Sequence, residues 1–127
     1  MEVRDSFFYT KEHEWVKVDE NKGIVGITDY ASQTLGDITF VEVASVGKDV
    51  SQFGYLGTIE SVKAASDIFS PVSGKVIEVN EKATVSPEII NTSPYTDGWL
   101  AIIEMSASDE VKNLMTAEQY KEYIKNL

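Results

Sequence analysis

From Trp15 to Met105 the chain is a succession of short runs rich in β-branched and aromatic residues, each closed by Gly, Pro, Asn, Asp or Ser. That punctuation constrains the fold most, because a short strand cannot bury its apolar face alone and must pair into sheets that stack or close. The runs fall at residues 15–18, 24–27, 38–43, 56–61, 64–69, 75–79 and 99–105, with turns over 19–23 and 70–74. Thr28-Asp29 is placed to cap a short helix through Ser32 to Leu35 that Gly36 ends. A loop over 80–98 holds one helical turn near Pro87-Glu88-Ile89-Ile90. After Met105 the character changes. Ser108 is placed to cap a helix through Leu114, and Thr116-Ala117-Glu118-Gln119 is a capping box flanked by a Met115/Tyr120 hydrophobic staple. The final helix presents Tyr120, Tyr123, Ile124 and Leu127 on one apolar face. The expectation is a mainly β fold, a small flattened barrel or sandwich with short helices outside, including one at the C-terminus. At 127 residues, with no linker, repeat or low-complexity tract, it reads as one domain over 1–127 with a single core.

Composition removes whole classes of function. Twenty-one acidic residues against eleven basic ones leave a net charge of −10. Nucleic-acid binding needs clustered Lys and Arg to displace counterions, so that class is excluded, while docking onto basic partner surfaces stays open. No apolar run approaches the ~18 residues of a membrane span. Met1-Glu2-Val3-Arg4-Asp5 carries no basic stretch followed by an apolar one. No secretory signal is therefore visible, and the absence of an Arg- and Ser-rich transit segment favours a bacterial cytoplasmic protein over a mature mitochondrial matrix one. Cysteine is absent and His13 is the one histidine. Thiolate chemistry and a multi-histidine zinc site are thereby excluded, and no Gly-x-Ser-x-Gly elbow or glycine-rich phosphate loop is present. The chain has little means of doing chemistry with its own side chains.

One lysine stands apart. Glu60-Ser61-Val62-Lys63-Ala64 places Lys63 between two strand-like runs, at the tip of a hairpin. A primary amine forms amides once a modifying enzyme takes its proton, and acylation turns a lysine into a neutral tether. A turn on a rigid sheet holds such a tether away from the fold. Alone the signal is weak, since the chain has ten lysines and a surface lysine is ordinarily only solvated.

The wider sequence carries a resemblance. Glu60-Ser61-Val62-Lys63-Ala64, then Ser66-Asp67 and Ser70-Pro71-Val72-Ser73-Gly74, resemble the lipoylation region of glycine cleavage H proteins. Tyr9-Thr10-Lys11-Glu12-His13-Glu14-Trp15-Val16 is similar to the opening motif of that family. Val25-Gly26-Ile27-Thr28-Asp29-Tyr30-Ala31 and Leu35-Gly36-Asp37-Ile38-Thr39-Phe40-Val41-Glu42 resemble its next two. Val79-Asn80, Pro87-Glu88-Ile89-Ile90-Asn91, Ser93-Pro94-Tyr95 and Gly98-Trp99-Leu100 follow in order, with Tyr95-Thr96-Asp97-Gly98 as the main departure. Biotin carriers share the hammerhead-type hairpin but flank its lysine with methionines, where this chain has Val62 and Ala64.

The resemblance implies a barrel-sandwich hybrid of the lipoyl/biotinyl type, with lipoate joined to Lys63. It implies a monomeric carrier, not an enzyme. Such a carrier takes the aminomethyl group of glycine from a pyridoxal-phosphate glycine decarboxylase to an aminomethyltransferase. Dihydrolipoamide dehydrogenase then reoxidises it, and a lipoate ligase or lipoyl/octanoyl transferase loads it. A lipoyl donor for other lipoyl domains, and a non-lipoylated interaction module of the same fold, are the alternatives. Glu60 is the candidate for recognition by the modifying enzyme. Glu14 and Asp67, with Glu12 a weaker third, are candidates for a cleft that shelters the loaded arm. His13, Trp15 and Trp99 read as structural, and Asn80 and Asn91 as binding loop backbone.

Overall fold

A computed structural model describes residues 1–127. All strand pairs are antiparallel, in two sheets. The larger sheet runs in the order β1 (Phe8–Tyr9), β2 (Glu14–Asp19), β3 (Lys22–Ile27), β9 (Ala101–Met105), β8 (Gly74–Val79) and β5 (Asp49–Val50). The smaller is β4 (Ile38–Val43), β6 (Tyr55–Ser61) and β7 (Ala65–Phe69). Five helical segments connect or cover them: α1 (Asp29–Leu35), α2 (Glu81–Val85), α3 (Glu88–Thr92), a 3-10 turn (Ser108–Asn113) and α4 (Ala117–Lys125). The sheets do not close on each other, so the fold is a sandwich rather than a barrel. No helix is long and apolar enough to cross a membrane.

Alternation along the strands builds the core. Val16, Val25, Ile27 and Ile103 of the large sheet meet Val41, Leu56, Ile59 and Ile68 of the small one in a cluster of 18 buried residues. Full burial of one such aliphatic side chain stabilises by roughly 1.5–3 kcal/mol. The single core expected from length is in fact two. Phe7, Tyr9, Trp15, Tyr95, Ala117 and Tyr120 form a separate aromatic cluster on the outer face of the large sheet, where α4 covers β1 and β2. Tyr9 and Tyr120 stack with centroids 4.5 Å apart. Gly26 lies opposite Trp15 in the ladder, and a Cβ there would sit 2.6 Å from the indole ring. That close approach accounts for the glycine.

Locally encoded features fall where the sequence puts them. Thr28 caps α1 by accepting from Ala31 N, and Gly36, at φ 80°, ends it. Thr116 and Gln119 form the reciprocal capping box, and Met115 packs against the cluster that holds Tyr120. Several expectations are corrected. The turn over 19–23 tightens until Asp19 pairs with Lys22, with Glu20 at φ 55°. The 80–98 loop contains two helices, because Asn80 caps α2 while donating to the carbonyls of Asp97 and Trp99. The segment after Ser108 is a 3-10 turn whose N-cap is Ala107, without a side-chain cap, so Ser108 does not start an α-helix. Leu127 lies beyond α4 and is 61% exposed, off the apolar face assigned to it.

Candidate functional site

The β6–β7 ladder runs from Tyr55↔Phe69 to Glu60↔Ala65 and leaves Val62 and Lys63 at its tip. Tight hairpin turns of the primed types need positive φ, which Gly or Asn supplies. Val62 and Lys63 have none, so Ser61 closes the turn instead. Its N–H donates to Ala64 O at 2.8 Å, and its Oγ accepts from Ala64 N at 3.1 Å and Lys63 N at 3.4 Å. Val62 N donates to Asp37 O at 3.1 Å, tying the tip to the segment after α1. Asn91 on α3 braces that segment, donating to Gly36 O at 2.8 Å and accepting from Ile38 N at 2.9 Å. The Lys63 stem lies over Gly36, where a Cβ would come within 3.2 Å of Cε, and the φ of 80° at Gly36 favours glycine there. Lys63 is exposed on a tip fixed from behind.

A cleft of ≈520 Å³ opens beside the far end of β7. Thr10, Glu12 and Glu14 line it together with Phe53, Phe69 and Met115. Glu14 is 1% exposed. Thr10 Oγ1 donates to its carboxylate, as does Phe69 N at 3.2 Å. Burial, reinforced by the nearby charge of Glu12, outweighs these hydrogen bonds and raises the Glu14 carboxyl from 4.5 to about 7. No cation pairs with it. The three ion pairs of the structure are Arg4–Glu2, Lys121–Asp5 and Lys125–Glu122, all on the surface, and Lys11 on the cleft wall joins none. A buried carboxylate with no counter-charge, at the edge of a mainly apolar cleft, is suited to a cationic group brought from outside.

The candidate residues separate in space. Glu14 and Glu12 line the cleft. Asp67 does not; it is exposed on β7, two residues nearer the tip than Phe69, and accepts from Thr58 Oγ1 at 3.5 Å. Glu60 is exposed opposite Ala65, beside the tip. His13 is half-buried at φ 73° and turns to the C-terminal helix, with Nδ1 2.8 Å from Tyr120 OH. Burial lowers its pKa below 6.5, consistent with a neutral structural ring. Thr10, Phe53, Phe69 and Met115 are cleft residues that the sequence does not assign to it. Thr10 lies in the opening motif and Phe69 on the strand that follows Lys63, Met115 reads only as part of a helix staple, and Phe53 carries no signal.

Residues 7–127 match the family described as glycine cleavage H-protein. The chain belongs to the glycine cleavage H-protein family. A glycine cleavage system H protein of Coprothermobacter proteolyticus is 54% identical over 125 residues, covering 98% of both chains. The mitochondrial glycine cleavage system H protein 2 of Arabidopsis thaliana is 51% identical over 115 residues, covering 91% of this chain and 74% of its own length. The crystal structure of a glycine cleavage system H protein from Mycobacterium marinum superposes with a TM-score of 0.90 at 36% identity, covering 98% of this chain and 100% of that one. Membership assigns this chain the carrier role in glycine cleavage and no catalytic one.

Proposed function

We propose that Lys63 bears lipoate in amide linkage and that the chain shuttles the aminomethyl group of glycine. It would pass among a pyridoxal-phosphate decarboxylase, an aminomethyltransferase and dihydrolipoamide dehydrogenase. One observation carries the reading: in a chain of this family, the exposed lysine stands on a braced hairpin whose second strand leads to a cleft holding an uncompensated buried carboxylate. Held on Lys63, lipoate would supply the redox-active disulfide that carries the aminomethyl group. The residues present fit such a group. Ser61, Asp37 and Gly36 fix the root of the arm, apolar walls suit its alkyl length, and Glu14 suits an ammonium at its end. Asp67, exposed on β7 between Lys63 and Phe69, is the second acid proposed to meet the arm. The proposed compartment is the bacterial cytoplasm, supported by bacterial relatives 54% and 47% identical to this chain.

The direct test is intact mass before and after incubation with a lipoate ligase, lipoate and ATP. One lipoyl increment per chain, mapped to Lys63 by peptide sequencing, is expected; an unmodified mass rejects the reading.

Glu60 is proposed to be read by the modifying enzyme. It is exposed on the last turn of strand before the tip, and no side chain of the protein engages its carboxylate. Glu60→Gln should slow lipoylation while leaving the melting temperature in place, since exposed substitutions ordinarily stay within about 0.5 kcal/mol. Equal lipoylation rates for variant and parent would make Glu60 an ordinary solvated acid.

A further inference from the structure

We infer that Phe53 is the side chain that covers the sulfur-bearing end of the arm when it lies in the cleft, an inference that rests on the carrier reading above. The argument begins with the backbone. Gly54 N donates to Ser51 O at 2.8 Å, so residues 51–54 form a turn with Phe53 in its third position, at φ 64°. That position calls for Gly or Asn, and a bulky residue there is strained. Sparsely populated backbone of this kind persists where the surroundings hold it, and it concentrates at functional sites.

The surroundings hold residue 53 without using its ring. Phe53 N donates to Ser70 O at 2.6 Å, and Ser70 N returns a bond to Gly54 O at 2.8 Å. Gln52 N donates to Ser73 Oγ at 2.8 Å, and Gln52 Nε2 donates to Pro71 O and Glu110 O, both at 3.0 Å. Asn113 Nδ2 donates to Gln52 Oε1 at 3.0 Å. The ring itself joins neither apolar cluster and is 50% exposed. A half-exposed ring outside both clusters thus stands on backbone that glycine would adopt without strain. The ring lines the cleft together with Phe69 and Glu14. Aromatic rings attract polarizable sulfur, and a ring over the cleft mouth excludes water from whatever lies behind it. Phe53 is thus a contact residue for the arm, placed by Gln52 and Ser70.

Phe53→Gly and Phe53→Asn test this, because both accept positive φ and keep every hydrogen bond named above. Each variant and the parent are lipoylated, loaded with a ¹³C-labelled aminomethyl group, and observed without partner enzymes. Three quantities are read: the rate of ammonia release, the NMR shifts of the label and arm protons, and the melting temperature of the unloaded carrier. In the parent, protons at the end of the arm should show an upfield ring-current shift. Both variants should lose that shift and release the group about two- to tenfold faster. Their melting temperatures should equal or exceed the parental value, and Phe53→Tyr should restore shift and rate. Parental shifts and rates in the Gly and Asn variants overturn the inference, as does a lowered melting temperature in both, which would make the ring structural. Glu14→Gln, measured alongside, separates the two levels. Faster release from Glu14→Gln with parental behaviour at position 53 removes only Phe53. Parental release from Glu14→Gln as well removes the sheltering cleft, and Phe53 with it.

Discussion

Lys63→Arg should yield a folded carrier that never takes up lipoate. The amine of lysine becomes an acyl acceptor on losing one proton, whereas guanidinium keeps its charge throughout the accessible pH range and offers no competent nucleophile. Nothing in the fold depends on the lysine. Lys63 is exposed, its side chain joins no ion pair, and the bonds that close the tip come from Ser61 and the backbone of residues 62–64. The melting temperature should therefore move by no more than about 0.5 kcal/mol would shift it. Of the other nine lysines, Lys17, Lys22 and Lys75 lie within strands and Lys82, Lys121 and Lys125 within α-helices, and Lys11, Lys48 and Lys112 lie outside both; none sits in the segment that resembles the lipoylation region. The expected effect is complete: no lipoyl mass increment after exhaustive treatment with ligase, and no glycine cleavage when the variant replaces the parent among the other components. A lipoyl increment on Lys63→Arg would move the attachment point elsewhere.

What the sequence disclosed follows from how far each interaction reaches along the chain. The strand Ile38–Val43 is legible residue for residue because its β-branched content is a local signal, whereas the register shift between Ile38 and Phe40 is set by the partner strand. The caps at Thr28 and Thr116 were legible because the residues that satisfy each helix end lie three positions apart. Strands of two residues, Phe8–Tyr9 and Asp49–Val50, show no period and exist only through their neighbours. Glu81–Val85 is too short to show an apolar face, and Asn80 was read as a loop residue although it caps that helix. Lys63 was visible because its neighbours form the motif. The cleft was only half visible. Glu12 and Glu14 belong to a recognisable segment, but other walls come from Phe53, Phe69, Asn113 and Met115, brought together by the fold. Nor does a glutamate at the start of a strand announce burial; Glu14 owes its character to Thr10 on one side and the edge of β7 on the other.

Glu14→Gln should abolish much of the shelter the cleft gives to a loaded arm, by an amount that depends on pH. With the cleft empty, the carboxyl titrates near 7, raised from 4.5 by burial. For an acid so raised, the folded state holds a proton that the unfolded state has lost. Stability is therefore greatest below about pH 4.5, falls as pH rises toward 7, and is level above it. The span corresponds to on the order of 3 kcal/mol. Glutamine is isosteric with the neutral acid and cannot ionise. The melting temperature of the parent should thus fall relative to that of Glu14→Gln between about pH 4.5 and pH 7, the window set by those two values, and the difference should stay level above. An ammonium entering the cleft reverses the preference, because a cation within a few ångströms stabilises the carboxylate. The arm's charged end is held best where Glu14 is already ionised. An amine that stays protonated cannot use its lone pair to expel sulfur, so retention slows release of ammonia and formaldehyde. Free arms lose the group faster as pH rises, which makes the ratio of variant to parent the informative quantity. That ratio should climb with pH as Glu14 ionises in the parent, and the climb should fall below the empty-cleft value of about 7 because the ammonium favours the carboxylate. Asp67→Asn, on exposed β7, should raise release less, since a solvated charge pair contributes only about 0–1 kcal/mol. A ratio of one across the whole range, with lipoylation at Lys63 intact, would show that the loaded arm does not rest against Glu14.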